Sequence, residues 1–247
     1  MYGVALGVNP ELRVFNLTHE IETYNIWNAS YRLVQTLQYW PEGTVFVSVV
    51  DPGVGSERKS VVAKTKDGKY IVTPNNGTLT HIHLNIGIEE IREIDETKNR
   101  LPYSNDSYTF HGRDIYAFTG ARLATGVISY EEVGPKLDLE EISLLNTGEV
   151  KIENGNTIQG TIDILDVRFG NLWTNIPKED FENLGIKYGD TVELTINHDS
   201  RKVYSSTVKY VKSFSEVNTG ATLLYVNSLH KIGVAINQGS FSKAHQV

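Results

Sequence analysis

Apolar and polar positions change their spacing several times along the first 140 residues. Over 26–37 the apolar side chains recur every three or four positions, which predicts a helix that ends before Pro41 and Gly43. The run 45–50 is apolar and β-branched apart from one serine, which predicts a buried strand leading to Asp51. Helix-like and strand-like segments that alternate in this way favour an α/β layer fold with a largely parallel sheet.

Turn residues mark the other elements. Those predicted for the first part are a strand at 13–17, a hairpin of 60–64 and 70–73 around Asp67-Gly68, and a helix over 114–125 stopped by Gly126. Beyond residue 150 the strand candidates are 157–166, 191–197, 202–211 and 222–226, with one helical patch at 178–184. Many short strands indicate a small β-barrel or sandwich. We therefore predict an N-terminal α/β domain over 1–150 and a β domain over 151–247.

Composition narrows the possible functions. The chain has 247 residues and a net charge of −7, which argues against nucleic acid or an anionic membrane as a partner. It has no cysteine, which excludes disulfides, thiol nucleophiles and cysteine-bound metals and favours the cytoplasm. No apolar stretch approaches the length that spans a bilayer.

The segment 51–58, Asp-Pro-Gly-Val-Gly-Ser-Glu-Arg, is a first candidate site. It places a carboxylate at the carboxyl end of a strand, where α/β sheets bind ligands, and a glycine-rich turn lets the backbone approach a ligand. Asp51 and Arg58 are then a catalytic or binding pair. An ordinary ion-paired turn explains the same residues equally well.

Residues 109–114, Thr-Phe-His-Gly-Arg-Asp, form a second candidate. His111 precedes a predicted helix, and a histidine there can orient water or act as acid or base near neutral pH. The alternative is structural: Asp114 caps the helix, Arg113 is a solvated charge, and His111 has a surface role, which is the commoner one for a lone histidine.

Residues 166–175 combine two aromatic side chains, a carboxylate and amides around Gly170. That mixture suits a planar heteroaromatic ligand with an ammonium group. A tight β-turn with core aromatics explains it as well. His81 and His83 could ligate a metal from one strand face, but no third ligand is evident, so we assign them to the surface and predict no metal.

Several long motifs in the same order resemble one known family. They are 16–21 (Asn-Leu-Thr-His-Glu-Ile), the 49–56 loop, 74–77 (Pro-Asn-Asn-Gly), 109–114, 166–175 and 226–228 (Val-Asn-Ser). On these motifs the chain is similar to the S-adenosyl-L-methionine (SAM) hydroxide adenosyltransferases, or SAM hydrolases. This family is related to SAM-dependent fluorinating and chlorinating enzymes.

The resemblance implies a Rossmann-like N-terminal α/β domain joined to a C-terminal β-barrel, in a homotrimer with active sites between subunits. It implies cleavage of SAM, as substrate and without a cofactor, at C5′ of the ribose to give adenosine and L-methionine. Asp51, Arg58 and His111 would hold the water or hydroxide. The halogenating relatives carry tyrosine in place of Asp51 and lack this histidine, so hydrolysis is favoured over 5′-haloadenosine synthesis.

The family also implies a set of substrate contacts. Phe169, Trp173 and Phe110 would line the ligand, Asn171 would lie near the adenine, and Asp166 would face the methionine ammonium. The backbone near Ser228, Ile236 and Gln238 would meet the adenine edge. A protein that binds SAM or adenosine without catalysis remains the alternative from a different class.

Two departures from the family pattern stand out. The family's chains begin with a strand and a Thr-Asp-Phe-Gly-like motif that grips the ribose, and this sequence begins just after that segment. We therefore expect the chain as given to bind SAM poorly, or its natural start to lie upstream. The second departure is Asn75, where the family usually has aspartate.

Overall fold

The computed structural model describes residues 1–166 and 168–247, so Val167, within the candidate turn 166–175, lies outside the described residues. The chain is mixed α/β and divides into two compact units, Met1–Leu145 and Asn146–Val247. This confirms the predicted α/β class. Within the described residues no helix combines the length and apolar character needed to cross a membrane.

The first unit contains one five-stranded sheet and short helices. Its helices are α1 (Tyr2–Val8), α2 (Ile26–Leu37), α3 (Thr80–Asn85), α4 (Glu96–Asn99) and α5 (Phe118–Ala124), with a π-helical turn, Gly112–Ala117, directly before α5. Its strands are β1 (Val45–Val47), β2 (Ser60–Thr65), β3 (Tyr70–Pro74), β4 (Ile88–Glu93) and β5 (Lys136–Leu137), in the order β1-β3-β2-β4-β5.

The expectation of a largely parallel sheet is wrong. Among the described strands of this unit, only β1 and β3 pair in parallel, whereas β2 pairs with β3 and β4, and β4 with β5, in antiparallel register. The tight turn between β2 and β3, which was predicted, permits only antiparallel pairing. The strand predicted at 13–17 does not form, since no described strand pairs with it.

The predicted helix at 26–37 is confirmed as α2. The Asn25 side chain caps it by accepting a hydrogen bond from the Asn28 backbone N–H at 2.9 Å. The helix predicted at 114–125 is also present, but it begins with the π-helical turn, and Gly126 follows it with φ +69°. Tyr116 of that turn is fully buried against Val62 and Val72 of the sheet. One core therefore holds both the sheet and the segment that follows His111.

The second unit contains a curled, half-barrel sheet of six strands in the order β10-β11-β12-β13-β9-β8. Its elements are β6 (Lys151–Glu153), β7 (Thr157–Gln159), β8 (Ile162–Leu165), β9 (Leu172–Pro177), α6 (Lys178–Glu182), β10 (Thr191–His198), β11 (Arg201–Tyr210), β12 (Thr222–Val226), β13 (Lys231–Ile236) and α7 (Phe241–His245). The four predicted strand regions and the helical patch are confirmed, with 157–166 divided into β7 and β8. The sequence analysis did not predict strands β6, β9 and β13.

Candidate active site

Asp51 lies just beyond the edge strand β1. The strand ends at Val47, earlier than predicted, although the Ser48 N–H still donates to the Val72 carbonyl at 3.0 Å. Beyond it, the Asn76 side-chain amide donates to the Val50 carbonyl at 2.9 Å in place of a neighbouring strand. The loop 74–77 after β3 therefore positions the backbone directly before Asp51.

Arg58 binds the Asp51 carboxylate with two N–H groups. Its Nε donates to Oδ1 at 2.7 Å and its second terminal nitrogen (Nη2) donates to Oδ2. The side chains of Arg58 and Asp51 are only 11% and 6% exposed, so this is a buried, bidentate pair. Such pairing stabilises the ionised carboxylate and fixes its orientation.

His111 contacts the same guanidinium. Arg58 Nη2 lies 3.2 Å from His111 Nδ1. A guanidinium has no acceptor, so Nδ1 must accept this hydrogen bond, and a neutral imidazole then carries its proton on Nε2. The pKa of His111 lies below its ordinary value, mainly because the side chain is buried. The Glu96 carboxylate raises the pKa, whereas the positive charges of Arg58 and Arg100 lower it. Geometry and electrostatics agree on a neutral His111.

The Nε2 atom of His111 is buried and has no hydrogen-bond partner within the described part of the chain. A buried donor of this kind is one that a bound group is expected to satisfy. The strand-end loop and the histidine loop, 53 residues apart, thus form one cluster around Arg58. The simple ion-paired turn does not account for the histidine.

We expect acid to destabilise the protein through His111. Since the native pKa lies below the ordinary value of 6.5, the unfolded chain takes up the proton first. The contribution of His111 to the free energy of unfolding is therefore complete above pH 6.5 and declines as the pH falls below it. Urea unfolding between pH 5 and 8 should show this decline in the parent and a smaller one in His111→Asn, whose amide oxygen still accepts from Arg58. Equal declines would contradict the prediction.

Two further members of the cluster, Ser60 and Tyr116, were missed by sequence reasoning. The first terminal nitrogen of Arg58 (Nη1) donates to Ser60 Oγ at 3.1 Å, and Ser60 Oγ lies 3.1 Å from the Tyr116 hydroxyl. The Tyr116 hydroxyl lies 3.5 Å from Asp51 Oδ2. Burial raises the pKa of Tyr116, so its hydroxyl stays protonated. No candidate motif of the sequence contains either residue.

The helix cap proposed at Asp114 is wrong. Asp114 lies inside the π-helical turn, is fully buried, and accepts from Arg113 Nε at 2.6 Å and Nη2 at 2.9 Å. Arg113 is therefore ion-paired, and its guanidinium also lies 4.8 Å from the ring centroid of Phe110. Phe110 itself is largely exposed, beside His111.

Asn75 joins the loop after β3 to the end of the first unit. Its amide donates to the Glu141 carbonyl at 2.8 Å, and its oxygen accepts from the Ser143 N–H at 2.9 Å. An amide satisfies both backbone groups, whereas an ionised aspartate can only accept. This gives the departure from the family's aspartate a structural reason.

Asn75→Asp should therefore lower the free energy of unfolding by about 2 kcal/mol, because a buried carboxylate would face the Glu141 carbonyl. Urea denaturation measures the change. Asn156→Asp is the matched control, since Asn156 is exposed and its side-chain oxygen only accepts a hydrogen bond, from Thr157. A loss no larger than that of the control would refute the assignment.

In the second unit the Asp166 carboxylate organises the turn between β8 and β9. Its Oδ1 accepts from the backbone N–H groups of Arg168 at 3.0 Å and Phe169 at 3.2 Å. Gly170 has φ +69°, and a Cβ there would lie 1.9 Å from Ser240 Oγ, so only glycine fits. Phe169, at the tip, is 66% exposed and presents its ring to solvent.

Trp173 and Tyr225 meet beside this turn. Trp173 Nε1 donates to the Tyr225 hydroxyl at 2.8 Å across Gly233, which pairs with both residues and has no side chain to block the Tyr225 ring. Burial raises the pKa of Tyr225 to about 12, although the hydrogen bonds from Trp173 and Asn171 lower it. Asn171 is buried next to them. The aromatic side chains and the amide are thus held together.

The structure separates Ser228 from the other residues expected at the adenine edge. Ser228 lies in the turn between β12 and β13, whereas Ile236 ends β13 and Gln238 follows with φ +57°. Ile232 pairs with Val226 and Ile236 pairs with Thr222. The two pairs are four residues apart along the strands, a separation of about 13 Å. Within one chain, Ile236 and Gln238 lie at the end of the sheet that carries the 166–171 turn, and Ser228 lies at the other end.

The surface assignment of the histidine pair is wrong for His81. Both histidines lie on helix α3, not on a strand, and His81 is buried with its Nδ1 2.9 Å from Ser30 Oγ and its ring against Trp27 and Tyr31. In the described ranges, no cluster of three or more His, Cys, Asp or Glu side chains is arranged to hold a metal ion.

Comparisons with known proteins match both halves of the chain. The family model of the SAM hydroxide adenosyltransferase N-terminal domain matches residues 1–134, and that of the C-terminal domain matches residues 160–247. The "(R)-S-adenosyl-L-methionine hydrolase" of Methanocaldococcus jannaschii is 36% identical over 84% of this chain and 70% of its own length. A fluorinase from Actinopolyspora mzabensis is 26% identical over 97% of this chain and 86% of its own.

Solved structures agree with the sequence comparisons. A crystal structure of a conserved protein from Thermotoga maritima superposes with a TM-score of 0.90 at 35% identity, covering 100% of this chain and 89% of the other.

Proposed function

The chain belongs to the SAM hydroxide adenosyltransferase family and is an enzyme that hydrolyses SAM to adenosine and L-methionine; we propose that Asp51, Arg58 and His111 hold the attacking water. The observation that carries the assignment is the single guanidinium of Arg58, which contacts both the Asp51 carboxylate and His111 Nδ1. The Arg58 side chain therefore holds together the loop that contains Asp51 and the loop that contains His111.

The chemistry needs few groups. The sulfonium of SAM leaves C5′ as a neutral thioether, so the leaving group takes no proton. The water oxygen forms the new C5′–O bond, the C5′–S bond breaks with its electron pair on sulfur, and one proton is released from the water. The enzyme therefore has to align the water with the C5′–S bond, accept its proton and stabilise developing hydroxide character.

Each member of the cluster suits one of these tasks. Asp51, whose carboxylate Arg58 holds in place, accepts the proton of the water. Neutral His111 carries a proton on Nε2 and can donate it in a hydrogen bond to the water oxygen. The role of His111 is therefore to orient the water, while Asp51 takes the proton. The Arg58 charge stabilises oxyanion character.

The second unit supplies the proposed substrate contacts. Phe169 and Trp173 would line the ligand, Asn171 would lie near the adenine, and Asp166 would face the methionine ammonium. The exposed Phe169 ring and the hydrogen-bonded Trp173–Tyr225 pair support this. Ile236 and Gln238 lie at the same end of the sheet and would meet the adenine edge. Ser228 would contact another part of the substrate, or substrate held by another subunit.

The family resemblance extends the proposal to the whole assembly. We propose a cytoplasmic homotrimer with active sites between subunits, built from an α/β first domain over 1–150 and a β-barrel second domain over 151–247. The curled sheet of the second unit supports the barrel. Light scattering coupled to size exclusion measures the trimer, and a monomeric mass would refute it.

Incubation with SAM in ¹⁸O-water, with and without chloride or fluoride, tests the reaction. We expect ¹⁸O in the 5′-hydroxyl of adenosine and the same product when halide is present, because Asp51 and His111 hold an oxygen nucleophile. A 5′-haloadenosine would point to halide transfer. Unchanged SAM with measurable binding would point to a non-catalytic binding protein.

A further inference from the structure

Four buried side chains, one of them the proposed catalytic carboxylate of Asp51, form a closed ring of hydrogen bonds. Arg58 Nη1 contacts Ser60 Oγ at 3.1 Å, Ser60 Oγ contacts the Tyr116 hydroxyl at 3.1 Å, and that hydroxyl contacts Asp51 Oδ2 at 3.5 Å. The bidentate Arg58–Asp51 pair closes the ring. Ser60 and Tyr116 are 4% and 0% exposed, so solvent does not compete for these groups.

The direction of every hydrogen bond in this ring follows from the two charged groups, the Arg58 guanidinium and the Asp51 carboxylate. A guanidinium only donates and a carboxylate only accepts. Ser60 Oγ therefore accepts from Arg58, and the single proton of Tyr116 points to Asp51. The Ser60 proton then points to the Tyr116 oxygen. Each hydroxyl donates once and accepts once, so the ring has one consistent arrangement.

The ring also distinguishes the two oxygens of Asp51. Oδ2 accepts from Arg58 and Tyr116, whereas Arg58 Nε is the one donor to Oδ1 among the described residues. A carboxylate oxygen accepts two hydrogen bonds readily, so Oδ1 keeps capacity for a further donor and Oδ2 does not. The water proton would thus be directed to Oδ1.

We propose that Tyr116, supported by Ser60, is a positioning residue for hydrolysis: it fixes the orientation of the Asp51 carboxylate and leaves Oδ1 as the oxygen that receives the proton. This inference rests on the proposed function of Asp51. Tyr116 is fully buried, so we assign it no direct contact with the substrate. It acts through Asp51 and Arg58.

Tyr130 offers a control with the same chemistry in the same core. It is also a buried tyrosine, but its hydroxyl donates to the backbone carbonyls of Val62 at 3.2 Å and Glu90 at 3.0 Å and not to a catalytic group. Tyr130→Phe and Tyr116→Phe each remove one buried hydroxyl. A purely structural role would affect both variants alike.

The test compares SAM hydrolysis by the parent, Tyr116→Phe, Tyr130→Phe and Ser60→Ala across pH 5 to 9. For Tyr116→Phe we expect kcat to fall about tenfold with KM within twofold, and the acid limb of kcat to move to higher pH, since ionised Asp51 loses a charge-assisted donor. Ser60→Ala should show a smaller shift in the same direction. Tyr130→Phe should leave the acid limb where it is. An unmoved limb in Tyr116→Phe, or equal shifts in both tyrosine variants, would overturn the proposal.

A second arm does not depend on turnover. Unfolding by urea is measured for Tyr116→Phe, Asp51→Asn and the double variant, and for the same cycle with Tyr130→Phe. The Tyr116 cycle should be non-additive and the Tyr130 cycle additive, because only Tyr116 contacts Asp51. An additive Tyr116 cycle would overturn the ring. A non-additive cycle in a protein that leaves SAM intact would instead refute the proposed function.

Discussion

Asp51→Asn should reduce kcat for SAM hydrolysis by about 10³-fold, the largest single effect expected in this protein. The amide is nearly the same shape as the carboxylate, but it cannot accept a proton from water at neutral pH. It also cannot accept both Arg58 N–H groups, because one of its two positions is a donor. Quenched assays of adenosine release at saturating SAM measure the loss.

The same substitution should destabilise the fold, and the experiment has to separate the two effects. Removing the carboxylate leaves a buried guanidinium without its counter-charge, which should cost about 3 kcal/mol of unfolding free energy. Activity should therefore be assayed well below the melting temperature of the Asp51→Asn variant, and circular dichroism should confirm that the variant is folded. Asp67→Asn is the control: Asp67 pairs with Lys69 at 2.6 Å in the β2–β3 turn, at the other end of β2 from Ser60. It should retain activity within twofold, and undiminished turnover in Asp51→Asn would rule out the assigned base.

Arg58→Lys should have the second largest effect, a loss of roughly 10²-fold in kcat with little change in KM. Lysine keeps the positive charge. However, one ammonium cannot reproduce the planar fork that binds both Asp51 oxygens, and it cannot also reach Ser60 Oγ and His111 Nδ1. The loss would thus show that geometry, and not charge alone, organises the water.

Arg92→Lys is the matched control for this substitution. Arg92 donates to Glu90 at 2.7 Å and to the Gly134 carbonyl at 3.0 Å, and its guanidinium lies 5.2 Å from the Tyr130 ring centroid. It is as extensively bound as Arg58 but contacts no proposed catalytic group. Its lysine variant should retain parent-like kcat at 25 °C. If both lysine variants retained kcat, the role of Arg58 in stabilising the nucleophile would be wrong.

Local pattern was enough for many of the elements. The spacing over 26–37 predicts α2 because tertiary burial uses the same face that the sequence makes apolar, and Asp67-Gly68 predicts the β2–β3 hairpin because turn chemistry is local. Strand β9 went unpredicted because its residues were assigned to a ligand-binding turn. The prediction of a largely parallel sheet was wrong because a hairpin joins β2 to β3 without a helical crossover, and the two strands therefore run antiparallel.

The site divides in the same way. Asp51, Arg58 and His111 stand out in the sequence because each lies in a motif at a loop, and the family resemblance links their roles. Ser60 and Tyr116 carry no such mark, since Ser60 begins a buried strand and Tyr116 belongs to the buried part of the turn after His111. The amide of Asn75 gained a reason only when its two backbone partners, 66 and 68 residues away, were seen.

The sequence by itself thus determined the kind of chemistry: a strand-end carboxylate, an arginine and a histidine in a SAM hydroxide adenosyltransferase. Only the tertiary structure decided how they act. One guanidinium joins the two loops, makes His111 neutral with its proton on Nε2, and with Ser60 and Tyr116 sets which Asp51 oxygen is free. The physical reason is that proton position and charge state depend on contacts between atoms far apart in the chain, which residue type and spacing do not specify.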